Sequence, residues 1–105
     1  MEKREVIFSP EALADLEALY DYIATDSGPI RAIGYIERIE VFCRGFELAG
    51  QRGHRRDDIR PGLRVVGFER RVTIAFHVEA KTVTIDRILY GGRDIGHTLR
   101  PDGER

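Results

Sequence analysis

Several things are scarce in this 105-residue chain, and each scarcity removes a class of function. It has one cysteine, Cys43, so no disulfide can form within the chain. With Val41, Phe42 and Phe46 around it and no histidine close in sequence, its thiol reads as a packed core group, not an activated nucleophile. No apolar run approaches the ~20 residues that cross a bilayer. Met1 to Glu5 leads into strand-like residues and not into the apolar core of a signal peptide, so a cytoplasmic location is the expectation. Neither sign of charge dominates: 17 Lys and Arg face 18 Asp and Glu, for a net charge of −1. A protein that grips many phosphates carries a basic excess, so the balance favours a protein partner, and sequence-specific nucleic-acid binding is not expected. The histidines at 54, 77 and 97 fall on a loop, a strand and the tail without ligand spacing, so no metal and no cofactor is expected. Gly91-Gly92-Arg93 lacks the strand–GxGxxG–helix context of a nucleotide loop. There is no internal repeat, low-complexity tract or linker.

What is present suffices for one domain spanning residues 1–105, with 42% hydrophobic residues to build its core. Residues 4–8 read as a short strand, with Val6 and Phe8 on one face. Ser9-Pro10-Glu11 is a helix start: a hydroxyl to cap, a proline where a missing N–H costs nothing, and an acid at the positive dipole end. Leu13, Leu16, Tyr20 and Ile23 then form the apolar stripe, with Glu11, Asp15 and Glu17 off it and an end expected near Thr25. Asp26-Ser27-Gly28-Pro29 stops that helix and opens a second, whose inner stripe is Ala32, Ile36, Ile39, Cys43 and Phe46, widened by Tyr35 and Phe42. So short a link predicts an antiparallel helical hairpin. Residues 50–62 hold three glycines, a proline, four arginines and two aspartates and read as an exposed loop. Leu63 to Phe68, Val72 to Val78 and Thr82 to Tyr90 follow as a three-stranded antiparallel meander. The fold class is α+β, with the N-terminal strand, the hairpin packed on the meander, and a short C-terminal helix or tail.

Arg87 draws attention because counting by two from Val83 and Ile85 places it with Leu89 on the apolar phase of the last strand. A charge there must reach the rim, meet a partner or await a ligand; Asp86 and Asp94 are the nearby candidates for an ion pair. An RNase without a metal needs a base, an acid and positive charge converging on one phosphate. His77 lies opposite Val72, Ile74 and Phe76, and Tyr90 is out of phase with Arg87 unless a bulge turns it, so no such set is assembled in the sequence. The loop arginines Arg52, Arg55, Arg56 and Arg60, with Arg64 just beyond, form a candidate basic loop, partly offset by Asp57 and Asp58.

The segments Glu5-Val6-Ile7-Phe8-Ser9-Pro10-Glu11-Ala12, Arg55-Arg56-Asp57-Asp58-Ile59-Arg60-Pro61-Gly62-Leu63-Arg64 and Arg87-Ile88-Leu89-Tyr90-Gly91-Gly92-Arg93-Asp94 together resemble the ParE branch of the RelE/ParE toxins of bacterial toxin–antitoxin systems. The resemblance spans nearly the whole chain and rests on their order and spacing. It implies the toxin of a type II system, not an enzyme, that inhibits DNA gyrase as a protein ligand and is neutralised by a cognate antitoxin. The alternatives it leaves are a ribosome-dependent messenger RNA endonuclease of the RelE branch, or a non-toxic homologue that only binds an antitoxin. The RelE branch ends in an arginine–tyrosine or histidine–tyrosine segment, whereas Leu89 to Asp94 is the gyrase-poison style of ending. On this reading Arg87, Tyr90, Arg93 and Asp94 are the candidate target contacts, at a strand end freed by Gly91-Gly92. Leu13, Leu16, Tyr20, Ile23 and Tyr35 are the candidate antitoxin groove, whose occupant is expected to be acidic opposite Arg4, Arg64, Arg70 and Arg71.

Overall fold

The hydroxyl of Ser9 accepts the Ala12 amide at 3.0 Å and donates to the Asp86 carbonyl at 2.9 Å, so one residue both caps a helix and ties its start to the last strand. A computed structural model describes residues 3–48 and 52–91. The elements are β1 (Glu5–Phe8), α1 (Pro10–Ser27), α2 (Pro29–Arg44), a 3₁₀ turn (Gly45–Glu47), β2 (His54–Arg55), β3 (Arg64–Phe68), β4 (Val72–Val78) and β5 (Thr82–Tyr90). The sheet runs β1-β5-β4-β3-β2. β3, β4 and β5 form the expected antiparallel meander, and β1 joins its edge parallel to β5, so the five-stranded sheet is mixed. The helical hairpin covers one face. Ala12, Leu16, Leu19, Ile39, Cys43 and Phe46 pack there on Val72, Ile74, Phe76, Val83, Ile85 and Ile88.

Four expectations change. First, α1 reaches Ser27, past Thr25, because only Gly28 (φ 96°) adopts the angle that ends it, and Pro29 starts α2 at once. Second, the buried stripe of α1 is Ala12, Leu16 and Leu19, with Ile23 packed beside it, while Leu13 is 52% exposed. Leu13 and Tyr20 sit roughly a quarter-turn round from that stripe, where the hairpin's outer groove opens. Asp15 is on the sheet-facing arc, not off it, with its side chain only 12% exposed.

Third, the segment 50–62 is not simply an exposed loop. It contributes β2, and it tucks Ile59 under the sheet beside Leu63, Val65 and Ala75, closing part of the second face. Fourth, the register of β4 and β5 slips: Phe76 pairs Ile85, but Ala75 pairs Arg87, leaving Asp86 as the extra residue of a bulge. Beyond the bulge Ile88 and Tyr90, not Arg87 and Leu89, continue the helix-facing row of Val83 and Ile85. β1 ends at Phe8, opposite Ile85, so among the described residues the outer edge of β5 has no strand beyond that point. Asp15 of α1 takes its place. Its carboxylate accepts the Ile88 amide at 2.8 Å and both Nε and Nη2 of Arg87 at 2.8 and 2.9 Å. The expected C-terminal helix or tail lies outside the described residues.

Candidate functional site

The β3–β4 turn and the end of β5 lie at one end of the sheet; the β4–β5 turn and the start of β3 lie at the other. The first end carries most of the candidate surface. There Tyr22, Ile23, Ile30, Tyr35 and Tyr90 floor a cleft of about 570 Å³ between the hairpin and the sheet. The Tyr22 and Tyr90 rings stand 5.5 Å apart, and Tyr35 lies against Phe68 at 6.1 Å. Burial first, then the charge of Glu69, pushes the Tyr35 hydroxyl above its ordinary pKa, so it serves as a hydrogen-bond donor at neutral pH. The rim bears Arg31, Arg38, Arg71, Asp26 and Glu69. Arg38 and Glu69 cancel in a two-bonded pair at 2.9 and 3.0 Å. Arg31 and Arg71 form no ion pair among the described residues.

Glu69 belongs to a strained turn. It and Arg70 have positive φ, 50° and 67°, angles that ordinarily call for glycine or asparagine. The Arg38 fork holds Glu69 from α2, and the pairing keeps its carboxyl below the usual range. The tightness of this turn aligns Phe68 with Val72 and brings Arg71 to the cleft.

The five hairpin residues singled out from sequence divide between two places. Ile23 and Tyr35 line the cleft. Leu13, Leu16 and Tyr20 line a groove of about 410 Å³ on the outside of the hairpin, with Ile33 and Ile36 and a rim of Glu17, Glu37 and Glu40. Of the proposed target contacts, Tyr90 is in the cleft, whereas the Arg87 guanidinium is held by Asp15, not by Asp86. The hydrogen bonds it donates to the Asp15 carboxylate hold it charged more firmly than an ordinary arginine. Arg93 and Asp94 lie outside the described residues.

The basic loop is engaged arginine by arginine. Arg52 lies over the Phe42 and Phe46 rings at 5.5 and 5.0 Å. Arg55 meets Asp57 at 2.9 Å, Arg56 grips Asp58 through two bonds of 3.0 Å, and Arg60 approaches Asp86 at 3.8 Å. Arg64 donates to the Arg52 carbonyl at 3.1 Å. The four arginines expected to face one acidic segment are also separated: Arg71 is at the cleft, and Arg4 and Arg64 share a pocket at the far end.

Catalytic convergence does not arise among the described residues either. His77 bonds Asp86 through Nδ1 at 2.8 Å. It pairs with Thr84 while Tyr90 pairs with Val72, so the two lie roughly 17 Å apart along β4. Sequence reasoning missed Ile30, 87% exposed, and Val41, 73% exposed. Their signal was an apolar row on α2 at 30, 33 and 41, off the phase of its core stripe.

The ParE toxin of type II toxin–antitoxin systems, parDE, is the family that matches residues 6–95. Among solved structures, a chain of the chromosomal ParDE toxin–antitoxin system from P. aeruginosa is similar at 27% identity and a TM-score of 0.75, over 86% of this chain and 98% of that one. None of the curated proteins matches.

Proposed function

Because this chain belongs to the ParE toxin family of type II toxin–antitoxin systems, we infer that it is the toxin of such a pair, a protein ligand that inhibits DNA gyrase and is neutralised by a cognate antitoxin. The observation that carries this is the family match over residues 6–95 of a chain whose fold agrees with a ParDE structure at a TM-score of 0.75. Inhibition is by binding, not catalysis, in keeping with the separation of His77 from Tyr90. No helix among the described residues is long and apolar enough to cross a membrane. Gyrase as target sets the cytoplasm as the place of action.

The acidic segment of the antitoxin belongs at the tyrosine cleft, where Arg31 and Arg71, without an ion pair among the described residues, offer charge above an aromatic floor. Arginine and tyrosine are also the residue types that most often dominate protein interfaces. The outer groove, with its rim of Glu17, Glu37 and Glu40, suits an apolar helix but repels acidic flanks. The target contacts are assigned to Tyr90, Arg93 and Asp94, with Arg87 holding the strand that presents Tyr90.

Purified protein should inhibit gyrase supercoiling and accumulate cleaved DNA, while messenger RNA on ribosomes stays intact. Antitoxin should restore supercoiling. Tyr90→Ala should weaken antitoxin or gyrase binding by about 2 kcal/mol, some 30-fold, if Tyr90 is an interface anchor. Cleavage of ribosome-bound messenger RNA with normal supercoiling would overturn the gyrase reading in favour of the RelE branch.

A further inference from the structure

Gly34 stands inside α2, where a glycine weakens a helix relative to alanine. Nothing among the described residues accounts for it. Its backbone is helical, and a methyl group added at its Cα would meet no atom within 4 Å. A glycine that neither turns the chain nor relieves a contact within it leaves room for another backbone to come close.

Two hollows meet at this glycine. The tyrosine cleft of about 570 Å³ and a second hollow of about 510 Å³, which runs over Val41, Phe42 and Phe68, share Gly34 and the Arg38–Glu69 bridge as their common wall. Ile30 and Val41 lie on the same line of α2, one turn before the glycine and two turns after it. They are 87% and 73% exposed, so apolar surface without cover brackets the crossing point. Charge changes sign along that line. Around the cleft Arg31, Arg38 and Arg71 stand against Asp26 and Glu69, a surplus of one positive charge. Around the second hollow Glu37 and Glu69 stand against Arg38, a surplus of one negative charge.

We propose that a segment of the cognate antitoxin crosses α2 at Gly34 and fills both hollows. It sets an acidic side chain in the cleft against Arg31 and Arg71, and an apolar one beyond the glycine on Val41, Phe42 and Phe68. This rests on the toxin reading and deepens it, because the acidic segment does not end in the cleft. The glycine sets how closely the segment's backbone approaches the helix; any side chain there lifts the segment off both hollows at once. The charge pattern sets its direction, since a carboxylate carried past the glycine meets Glu37.

The test is calorimetric titration of the full chain with its cognate antitoxin, run beside thermal unfolding of the chain alone. Gly34→Ala and Gly34→Gln should raise the unfolding midpoint by roughly 2–6 °C, because both residues favour a helix. Over the same pair, antitoxin binding should weaken ~10-fold and then ~100-fold as the side chain grows. Stability gained while binding is lost separates a blocked approach from a damaged fold. Arg31→Ala should weaken binding ~10-fold at low salt and less at high salt, whereas the loss in Val41→Ser should be independent of salt. Gly34→Gln binding as tightly as the unsubstituted chain, or a fall of the midpoint in both glycine variants, would overturn the proposal. A salt-dependent loss in Val41→Ser with none in Arg31→Ala would overturn the direction assigned to the segment. An unsubstituted chain that the antitoxin leaves unbound would overturn the toxin reading itself, and the crossing with it, so the two failures are told apart.

Discussion

The two ends of the sheet differ in what lines them and in what holds them. At one end Tyr22, Tyr35 and Tyr90 floor the cleft, and each is packed on a ring or on the core below. At the other, Arg4, Arg55 and Arg64 line one pocket, with Arg55 paired to Asp57 at 2.9 Å and the Nε groups of Arg4 and Arg64 donating to backbone carbonyls. The tyrosine end is built by packing and by two clamps reaching across from the helices, Asp15 to β5 and Arg38 to the β3–β4 turn. Among the described residues the arginine end has no such side-chain clamp from α1 or α2, and its outermost strand is two residues long. The lesson concerns preorganisation. A surface of aromatic groups fixed by long-range contacts is ready for a partner of matching shape, whereas charged side chains held by short, exposed contacts readjust to whatever meets them.

That contrast can be broken first at Asp15. Asp15→Ala removes the acceptor of the Ile88 amide and leaves the Arg87 guanidinium, 21% exposed, without its partner. A loss of about 2–4 kcal/mol in urea unfolding is expected. Amide exchange should quicken at residues 87–90 before it changes at Arg64 or Val65. Uniform loosening of both ends would mean that the clamp is not local to the tyrosine end.

A smaller effect, of opposite sign, is expected at the turn. Arg70→Gly replaces a residue at φ 67° with one that adopts this angle freely, and should stabilise the domain by about 1 kcal/mol. The unfolding midpoint should rise while the Arg38–Glu69 pair persists. A fall instead would show that the Arg70 side chain contributes more than its backbone strain costs.

The smallest effect is a pH dependence from the core between the two ends. Burial pushes the Cys43 thiol up to about 12, from 9.0. The folded state therefore holds this proton where the unfolded chain releases it. The resulting stability is complete below pH 9 and declines as pH rises from there towards 12. At about pH 9.5 the loss attributable to Cys43 is ~0.8 kcal/mol, and Cys43→Ala should show a correspondingly flatter profile over that range. Equal slopes in the two proteins would mean that the thiol ionises in the folded state as easily as in the unfolded one.

Legibility from sequence followed the range of the interaction. The bounds of β4 and β5, the start of α1 at Ser9-Pro10 and the inner stripe of α2 were all readable, because period, cap and proline act over a few residues. The hairpin groove was half readable. Leu13, Leu16 and Tyr20 were recognised as apolar, but which of α1's apolar residues face the sheet depends on how the helix is rotated on it. Ala12 and Leu19 gained the core because the sheet is there, and Leu13 lost it for the same reason.

By itself the sequence determined an α+β chain of one strand, a helical hairpin and a three-stranded meander, a cysteine fit only for packing, and a likeness to one toxin family. These follow from local stereochemistry and from the order of segments. Only the tertiary structure decided that Arg87 answers to Asp15, 72 residues away. It alone placed a bulge at Asp86 that turns Tyr90 towards the hairpin, and set Arg55 opposite Arg64. Each of these depends on strand register and on the place where β1 runs out, and register is fixed by the packing of whole faces against one another, which no short stretch of sequence contains.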